Sequence, residues 1–205
     1  MQDLSIFELA KQGGWIMIVL AVLSVIAVYI FTDRYIAIRK AGRIDSLFMD
    51  RIRDYVKNND TRSAINYCRI TKNPASRMIE RGISRIGQPA PEIQAAIENT
   101  GNLEVAKLEK GLPVLSTIAG GAPMIGFLGT VIGMVEAFWQ MSHSGGNIDI
   151  STLSGGIYQA MVTTVGGLIV GIVALFAYNY LVSKIDGVVN EMERETMSFM
   201  DLLNE

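Results

Sequence analysis

Four polar, uncharged side chains interrupt two long apolar stretches, and their chemistry suits a polar pathway through a membrane. Thr130 lies in the first stretch, and Gln159, Thr163 and Thr164 lie in the second. A threonine hydroxyl donates one hydrogen bond and accepts two, so it can solvate an ion or hold water. None of the four side chains titrates. A proton that crosses at their level therefore needs a titrating group from another subunit, or water held by the hydroxyls.

Three segments of the chain contain no Asp, Glu, Lys or Arg: residues 12–32, 111–135 and 150–183. About 20 apolar residues in a helix cross the hydrocarbon core of a membrane, and all three segments reach that length. The chain is also only 19% charged, whereas a soluble domain has about a quarter of its residues charged. We therefore predict an all-α integral membrane protein with three transmembrane helices.

The distribution of basic residues predicts the orientation of these helices. Of the 18 Lys and Arg residues, 15 lie in 34–110 and none lies in 141–150. Cytoplasmic segments carry the basic excess, so the N-terminus is expected outside and the insert and C-terminus inside. The predicted segments are an outer N-terminal segment 1–14, a transmembrane helix 15–33, a helical cytoplasmic domain 34–112, a transmembrane helix 113–140, an outer loop 141–151, a transmembrane helix 152–183 and a cytoplasmic amphipathic helix 184–205.

Helical wheels divide the second and third transmembrane segments into a slim face and a bulky face. At 100° per residue, Thr130 shares its face with small residues, as do Gln159 and Thr164, while Phe127 and Leu168 lie on the opposite faces. Lipid offers polar atoms no partner, so the slim faces should meet another helix or a cavity. The predicted pore lining and proton pathway is Thr130, Thr164, Gln159 and Thr163, and the predicted helix-packing residues at the pore are Gly126, Gly129, Gly133, Gly167 and Gly171.

Residues for catalysis, metal binding or nucleic-acid binding are scarce. One cysteine, Cys68, excludes an intrachain disulfide, and one histidine, His143, leaves little for a His/Cys metal site. The serines near His143 lack a Gly-x-Ser-x-Gly motif. A net charge of −2 argues against a nucleic-acid partner. We expect no catalytic residue, metal, cofactor or nucleic acid.

Two motifs lie within the second and third segments. Residues 122–134 read APMIGFLGTVIGM, and residues 157–168 read IYQAMVTTVGGL, followed by Ala177, Tyr178 and Asn179. Together they resemble the MotA/TolQ/ExbB proton-channel family, and most closely its ExbB and TolQ members. Three spans, an outer N-terminus, the cytoplasmic insert and the cytoplasmic tail extend the resemblance over nearly the whole chain.

The resemblance implies a homopentameric ring in the bacterial inner membrane, with a periplasmic N-terminus and a cytoplasmic C-terminus. Spans two and three would line a central pore that holds the helices of two single-span ExbD-like or TolR-like subunits. Proton flow through an aspartate of that partner would move the pair and energise a TonB-like or TolA-like protein that reaches the outer membrane. The pore-lining threonines of the family match Thr130 and Thr164.

One position departs from the family pattern. Many members carry a glutamate where this chain has Gln159, so a ring of acidic side chains is missing and the partner's aspartate is left as the sole proton carrier. Two alternatives to an ExbB-like role in TonB-dependent transport stay open. One is a TolQ-type subunit for envelope integrity and cell division, and the other is a passive membrane scaffold whose small faces only pack helices.

Overall fold

The computed structural model describes residues 13–43, 45, 47–143 and 150–204, and all regular secondary structure among them is α-helical. The expected all-α fold is confirmed. Most of the predicted outer segments 1–14 and 141–151 lies outside the described residues. The helices are α1 (Gly14–Ala41), α2 (Phe48–Lys57), α3 (Thr61–Thr71), α4 (Pro74–Ile83), α5 (Ala90–Glu109), α6 (Leu112–His143) and α7 (Ile150–Asn204).

Three stretches of helix are long and apolar enough to cross a membrane, as predicted, and they include α1, α6 and α7. Helix α7 runs without a break through 150–204. The predicted third span and the predicted C-terminal amphipathic helix are thus parts of one helix. The points at which each helix enters the membrane, and its orientation there, stay predictions.

The described chain divides into two compact units. The first contains the described residues up to Thr32 together with Gly111–Asn179, and so holds the apolar parts of α1, α6 and α7. The second contains Asp33–Lys110 and the chain from Tyr180 onward. Helices α1 and α7 each contribute residues to both units.

The second unit has an ordinary apolar core made by amphipathic helices. Phe48, Ile52, Ile79 and Phe199 are each fully buried. A Cβ added to Gly82 of α4 would lie 2.6 Å from Cε1 of Phe199, so the amphipathic end of α7 packs on the helices of the insert.

Side-chain caps fix where the short helices of this unit begin. Asp60 accepts a hydrogen bond from the amide of Ser63 before α3. Asn73 and Ser76 form a capping box at the start of α4, where Pro74 occupies the first helical position. Such caps satisfy amide donors that have no partner within the helix.

A buried carboxylate joins α4 to α5 in the same unit. Glu104 is 4% exposed, accepts a hydrogen bond of 2.6 Å from Lys107, and pairs with Arg77. Burial by itself raises the pKa of Glu104, but hydrogen bonds and charge from Lys107 and Arg77 outweigh it and lower the pKa below its usual range. Glu104 is therefore held as a carboxylate.

Candidate functional site

A seam of small residues brings α6 and α7 into backbone contact. A Cβ added to Gly167 would lie 2.8 Å from Cα of Gly126, and a Cβ added to Gly171 would lie 2.5 Å from Cγ of Pro123. Real Cβ atoms essentially never approach heavy atoms below 3.0 Å. Glycine at these positions therefore sets the distance between the helices, as in other membrane helix pairs.

The seam continues along the antiparallel helices. A Cβ on Gly133 would lie 3.0 Å from Cβ of Ala160, and a Cβ on Gly156 would lie 2.8 Å from Cβ of Ala137. The structure places every predicted packing residue against the facing helix: Gly126, Gly129, Gly133, Gly167 and Gly171.

Helix α1 covers one edge of this seam. A Cβ on Gly166 would lie 3.0 Å from Sδ of Met17, and a Cβ on Gly129 would lie 3.2 Å from Cδ1 of Ile16. The side of α1 that packs here is a feature that sequence reasoning missed. The part of α1 that precedes Thr32 is apolar around its whole circumference, so it has no polar stripe to mark the buried side.

Gln159 and Thr163 lie on the edge that α1 covers. Nε2 of Gln159 is 2.9 Å from the position of a Cβ on Gly14, at the start of α1. Thr163 is 1% exposed, and its hydroxyl donates to the carbonyl of Ala160 at 2.7 Å. A Cβ on Gly129 would lie 2.3 Å from that hydroxyl oxygen. In the structure Thr163 is a packing residue between helices of one chain.

Thr130 and Thr164 lie on the other edge of the seam, and both are half-buried. Successive residues in a helix point 100° apart, which turns Thr164 away from Thr163 and Thr130 away from Gly129. The hydroxyl of Thr164 donates to the carbonyl of Gly126 at 3.1 Å. In an α-helix that carbonyl also accepts from the amide of residue 130. The two threonines therefore lie within about one helical turn of each other.

The two hydroxyls offer acceptor lone pairs rather than donors. Thr130 donates its hydroxyl hydrogen to the carbonyl of Phe127 at 2.5 Å, and Thr164 donates to Gly126. A hydroxyl whose hydrogen is engaged can still accept. Together they form a small acceptor site on a surface that is otherwise apolar. Phe127 and Leu168 are exposed on this same surface, about one turn from Thr130 and Thr164 on their helices, so the expectation that they lie on the opposite faces is wrong. Such a site can stabilise a protonated group or water that passes along this edge.

The bulky faces of α6 and α7 are largely exposed in the single chain. Met124 is 74% exposed and Phe176 is 72% exposed. Val162 of α7, by contrast, is 8% exposed. Among the described residues no group of three or more His, Cys, Asp or Glu side chains could hold a metal ion.

Comparison with known proteins identifies relatives along this part of the chain. Residues 70–194, which include α6 and the seam-forming part of α7, match the model of the MotA/TolQ/ExbB proton channel family. An ExbB homolog from Methanothermobacter thermautotrophicus is 26% identical over 190 residues, which cover 92% of this chain and 67% of that protein. The biopolymer transport protein ExbB of Neisseria meningitidis serogroup A is 26% identical over 180 residues, covering 81% of this chain and 80% of the relative.

A TolQ protein is also among the relatives. The Tol-Pal system protein TolQ of Haemophilus influenzae is 32% identical over 124 residues, which cover 58% of this chain and 52% of that protein. The region that matches the family model, residues 70–194, contains both Thr130 and Thr164. The acceptor site therefore lies within the part of the chain that the family shares.

Proposed function

Because the chain belongs to the MotA/TolQ/ExbB proton channel family, we propose that it is the ring-forming subunit of a proton-driven motor in the bacterial inner membrane. In this proposal five copies surround a pore, with periplasmic N-termini and cytoplasmic C-termini. The edge of each α6–α7 pair that bears Thr130 and Thr164 faces the pore. The observation that supports this arrangement is the pair of hydroxyls at one level on the edge away from α1.

The proton carrier in this proposal belongs to a partner. Residues 111–135 and 150–183 contain no acidic or basic side chain, so neither threonine has a charged residue within five positions on its own helix. An ExbD-like or TolR-like single-span subunit would supply a carboxyl group inside the ring. The oxygens of Thr130 and Thr164 would accept hydrogen bonds from that carboxyl group when it is protonated, or from water beside it.

The close seam between α6 and α7 supports a scheme in which the partner is the moving part. Helices α6 and α7 approach too closely along Gly126, Gly167 and Gly171 to slide past each other without steric overlap. They therefore act as a rigid wall, and the partner helices move within it. Gln159 and Thr163 hold the wall against α1 in this scheme, and the proton pathway of this subunit consists of Thr130 and Thr164.

The proposed output is the energising of outer-membrane transport through a TonB-like protein, as suits a relative of the biopolymer transport protein ExbB. A second candidate is a TolQ-type subunit that acts with TolR-like and TolA-like partners in envelope integrity, which the TolQ relative supports. The proton pathway is the same in both. Growth on a TonB-dependent nutrient and resistance to detergent in a deletion strain separate the two roles.

Replacing Thr130 or Thr164 with valine tests the pathway, because valine keeps the shape of threonine and removes its oxygen. Each variant is reconstituted with the single-span partner in liposomes, and proton influx is followed with a pH-sensitive dye. We expect at least about a tenfold loss of influx with unchanged ring mass, which corresponds to about 1.4 kcal/mol in the barrier.

Thr117→Val is the matched control. Thr117 also lies in α6 and also donates its hydroxyl to a carbonyl of its own helix, that of Pro113, at 2.8 Å. It lies near the start of α6, away from the acceptor site. Influx through this variant should equal that of the unmodified protein. Unchanged influx in all three variants would favour the passive scaffold.

A further inference from the structure

The second compact unit contains a groove of about 390 Å³ between α1 and α7. On each helix the lining residues are spaced so that they lie on one side of the helix, and each helix contributes one continuous stripe. The lining residues are Tyr35, Ile38, Arg39 and Gly42 of the α1 side and Tyr180, Leu181, Lys184 and Val188 of the α7 side.

The groove has an apolar floor and an aromatic wall. Ile38 is 4% exposed and Leu181 is fully buried. The rings of Tyr35 and Tyr180 lie 6.3 Å apart between centroids and are tilted by 33°. Such a floor suits a hydrocarbon chain, and tyrosines are enriched where a membrane meets water.

The rim of the groove is basic. Arg39 and Lys184 are both exposed, and the lining contains no acidic residue. Nζ of Lys184 lies 5.6 Å from the centroid of the Tyr180 ring. Neither cation forms an ion pair within the described ranges 13–43, 45, 47–143 and 150–204, whereas the neighbouring Arg34 pairs with Asp33. Two such cations above an apolar floor complement an amphiphile with an anionic head.

The groove lies where the first and third predicted transmembrane segments end. The uncharged segments end at Thr32 and Ser183, so Arg39 and Lys184 stand among the first charged residues beyond the predicted spans. In the orientation proposed above, this is the headgroup region of the cytoplasmic leaflet, which is rich in anionic lipid. The inference rests on that proposed orientation.

We propose that the groove binds an anionic phospholipid of the cytoplasmic leaflet, of the phosphatidylglycerol class. The guanidinium of Arg39 and the ammonium of Lys184 bind its phosphate, since arginine suits planar two-point contact with phosphate oxygens and lysine supplies a point charge. An acyl chain lies on Ile38, Leu181 and Val188. The lipid then stabilises the contact between α1 and α7 within this unit.

Lipid titration of the full chain in detergent, read by native mass spectrometry, tests the proposal with dioleoyl-phosphatidylglycerol and dioleoyl-phosphatidylcholine as probes. The unmodified chain should bind phosphatidylglycerol more tightly than phosphatidylcholine. The double variant Arg39→Gln/Lys184→Gln should lose about 25-fold in affinity for phosphatidylglycerol, since each basic group near an anionic surface contributes about fivefold. Its affinity for phosphatidylcholine should not change.

Two further variants control for charge and for folding. Arg53→Gln/Arg62→Gln removes the same charge from exposed positions of α2 and α3 outside the groove, and it should bind lipid as the unmodified chain does. The exchange Arg39→Lys/Lys184→Arg keeps both charges in the groove and should retain most of the affinity.

Three results would overturn the proposal. The Arg39→Gln/Lys184→Gln variant could bind phosphatidylglycerol as tightly as the unmodified chain, or the Arg53→Gln/Arg62→Gln control could lose as much affinity for this lipid as that variant does. Millimolar inorganic phosphate could also displace the lipid. The last would mean that the groove binds a free anion. The measurement needs neither a partner nor proton flow, so its failure is distinct from a failure of the proposed channel function.

Discussion

Thr163 and Thr164 are neighbours in the chain, yet α7 turns them to opposite edges of the α6–α7 seam. Thr163 is buried on the edge that α1 covers, with its hydroxyl engaged by carbonyls of two helices. Thr164 is half-buried on the other edge. The same substitution at the two positions should therefore affect different properties of the protein.

Thr163→Val should lower the free energy of unfolding by about 1 kcal/mol, because a buried hydrogen bond is lost and valine gives the carbonyl acceptors no new donor. Proton influx per ring should stay unchanged. Thermal unfolding in detergent and dye-monitored influx measure the two effects, with Thr164→Val as the comparison. A loss of influx in Thr163→Val at unchanged stability would contradict the assignment of Thr163 to packing.

Two carboxylates of the second unit should respond to pH with opposite signs. The pKa of Glu104 is lowered, so the unfolded state holds that proton more tightly, and the stability from ionised Glu104 is present above about pH 4.3 and lost as the pH falls. Burial raises the pKa of Glu195 and outweighs the opposing effect of Arg194. Ionised Glu195 therefore costs stability as the pH rises.

Glu104→Gln should lower the free energy of unfolding at pH 7 by about 1–3 kcal/mol, and with it the unfolding temperature. This loss should shrink toward pH 4. Glu195→Gln should raise the unfolding temperature at pH 7, and that gain should also shrink toward pH 4. Thermal unfolding of the full chain between pH 4 and pH 8 measures both. Shifts of the same sign at pH 7 would contradict the assigned environments.

Among the helices, the features that follow from local sequence were predicted and those that depend on register were not. Three uncharged segments predicted three apolar helices, and helical periodicity predicted slim faces on α6 and α7. The wheel could not tell which small residues meet. Opposing pairs such as Gly126 with Gly167 depend on how far the two helices are offset. The buried side of α1 was missed because apolar residues surround the part of that helix before Thr32 on every side.

Gly129→Ala should destabilise the protein by about 1–3 kcal/mol through overpacking, although alanine favours a helix by about 1 kcal/mol over glycine. The added Cβ would lie 2.7 Å from Cβ of Thr163, a branched side chain that has little freedom to move. Gly120→Ala is the matched control in the same helix, since a Cβ there meets nothing within 4 Å. Thermal unfolding should separate the two variants, and equal stability would argue against a close seam.

At the scale of the whole molecule, a pore requires an assembly, because a single α6–α7 pair presents one edge and does not enclose a pore. Five copies of the 22.4 kDa chain have a mass of 112 kDa. We expect native mass spectrometry after gentle extraction to find this ring, and a heavier ring when the single-span partner is co-expressed. A monomer in both preparations would remove the basis for a pore.

Water reaches the edge that bears Thr130 and Thr164 if this edge lines a pore, and lipid covers the edge if it does not. Cysteine is introduced singly, as Thr130→Cys and Thr164→Cys, and the controls Leu128→Cys and Ile169→Cys replace exposed residues roughly half a turn away on the same helices. Native Cys68 gives little background, since burial raises its pKa to about 12.

The assembled ring, in membranes, is treated with a water-soluble thiosulfonate reagent that reacts with the thiolate, and modification is counted by mass. We expect cysteines at 130 and 164 to react at least about tenfold faster than those at 128 and 169, because a thiolate forms in a hydrated pore and not in lipid. Fast reaction at 128 and 169 with protection at 130 and 164 would contradict this expectation.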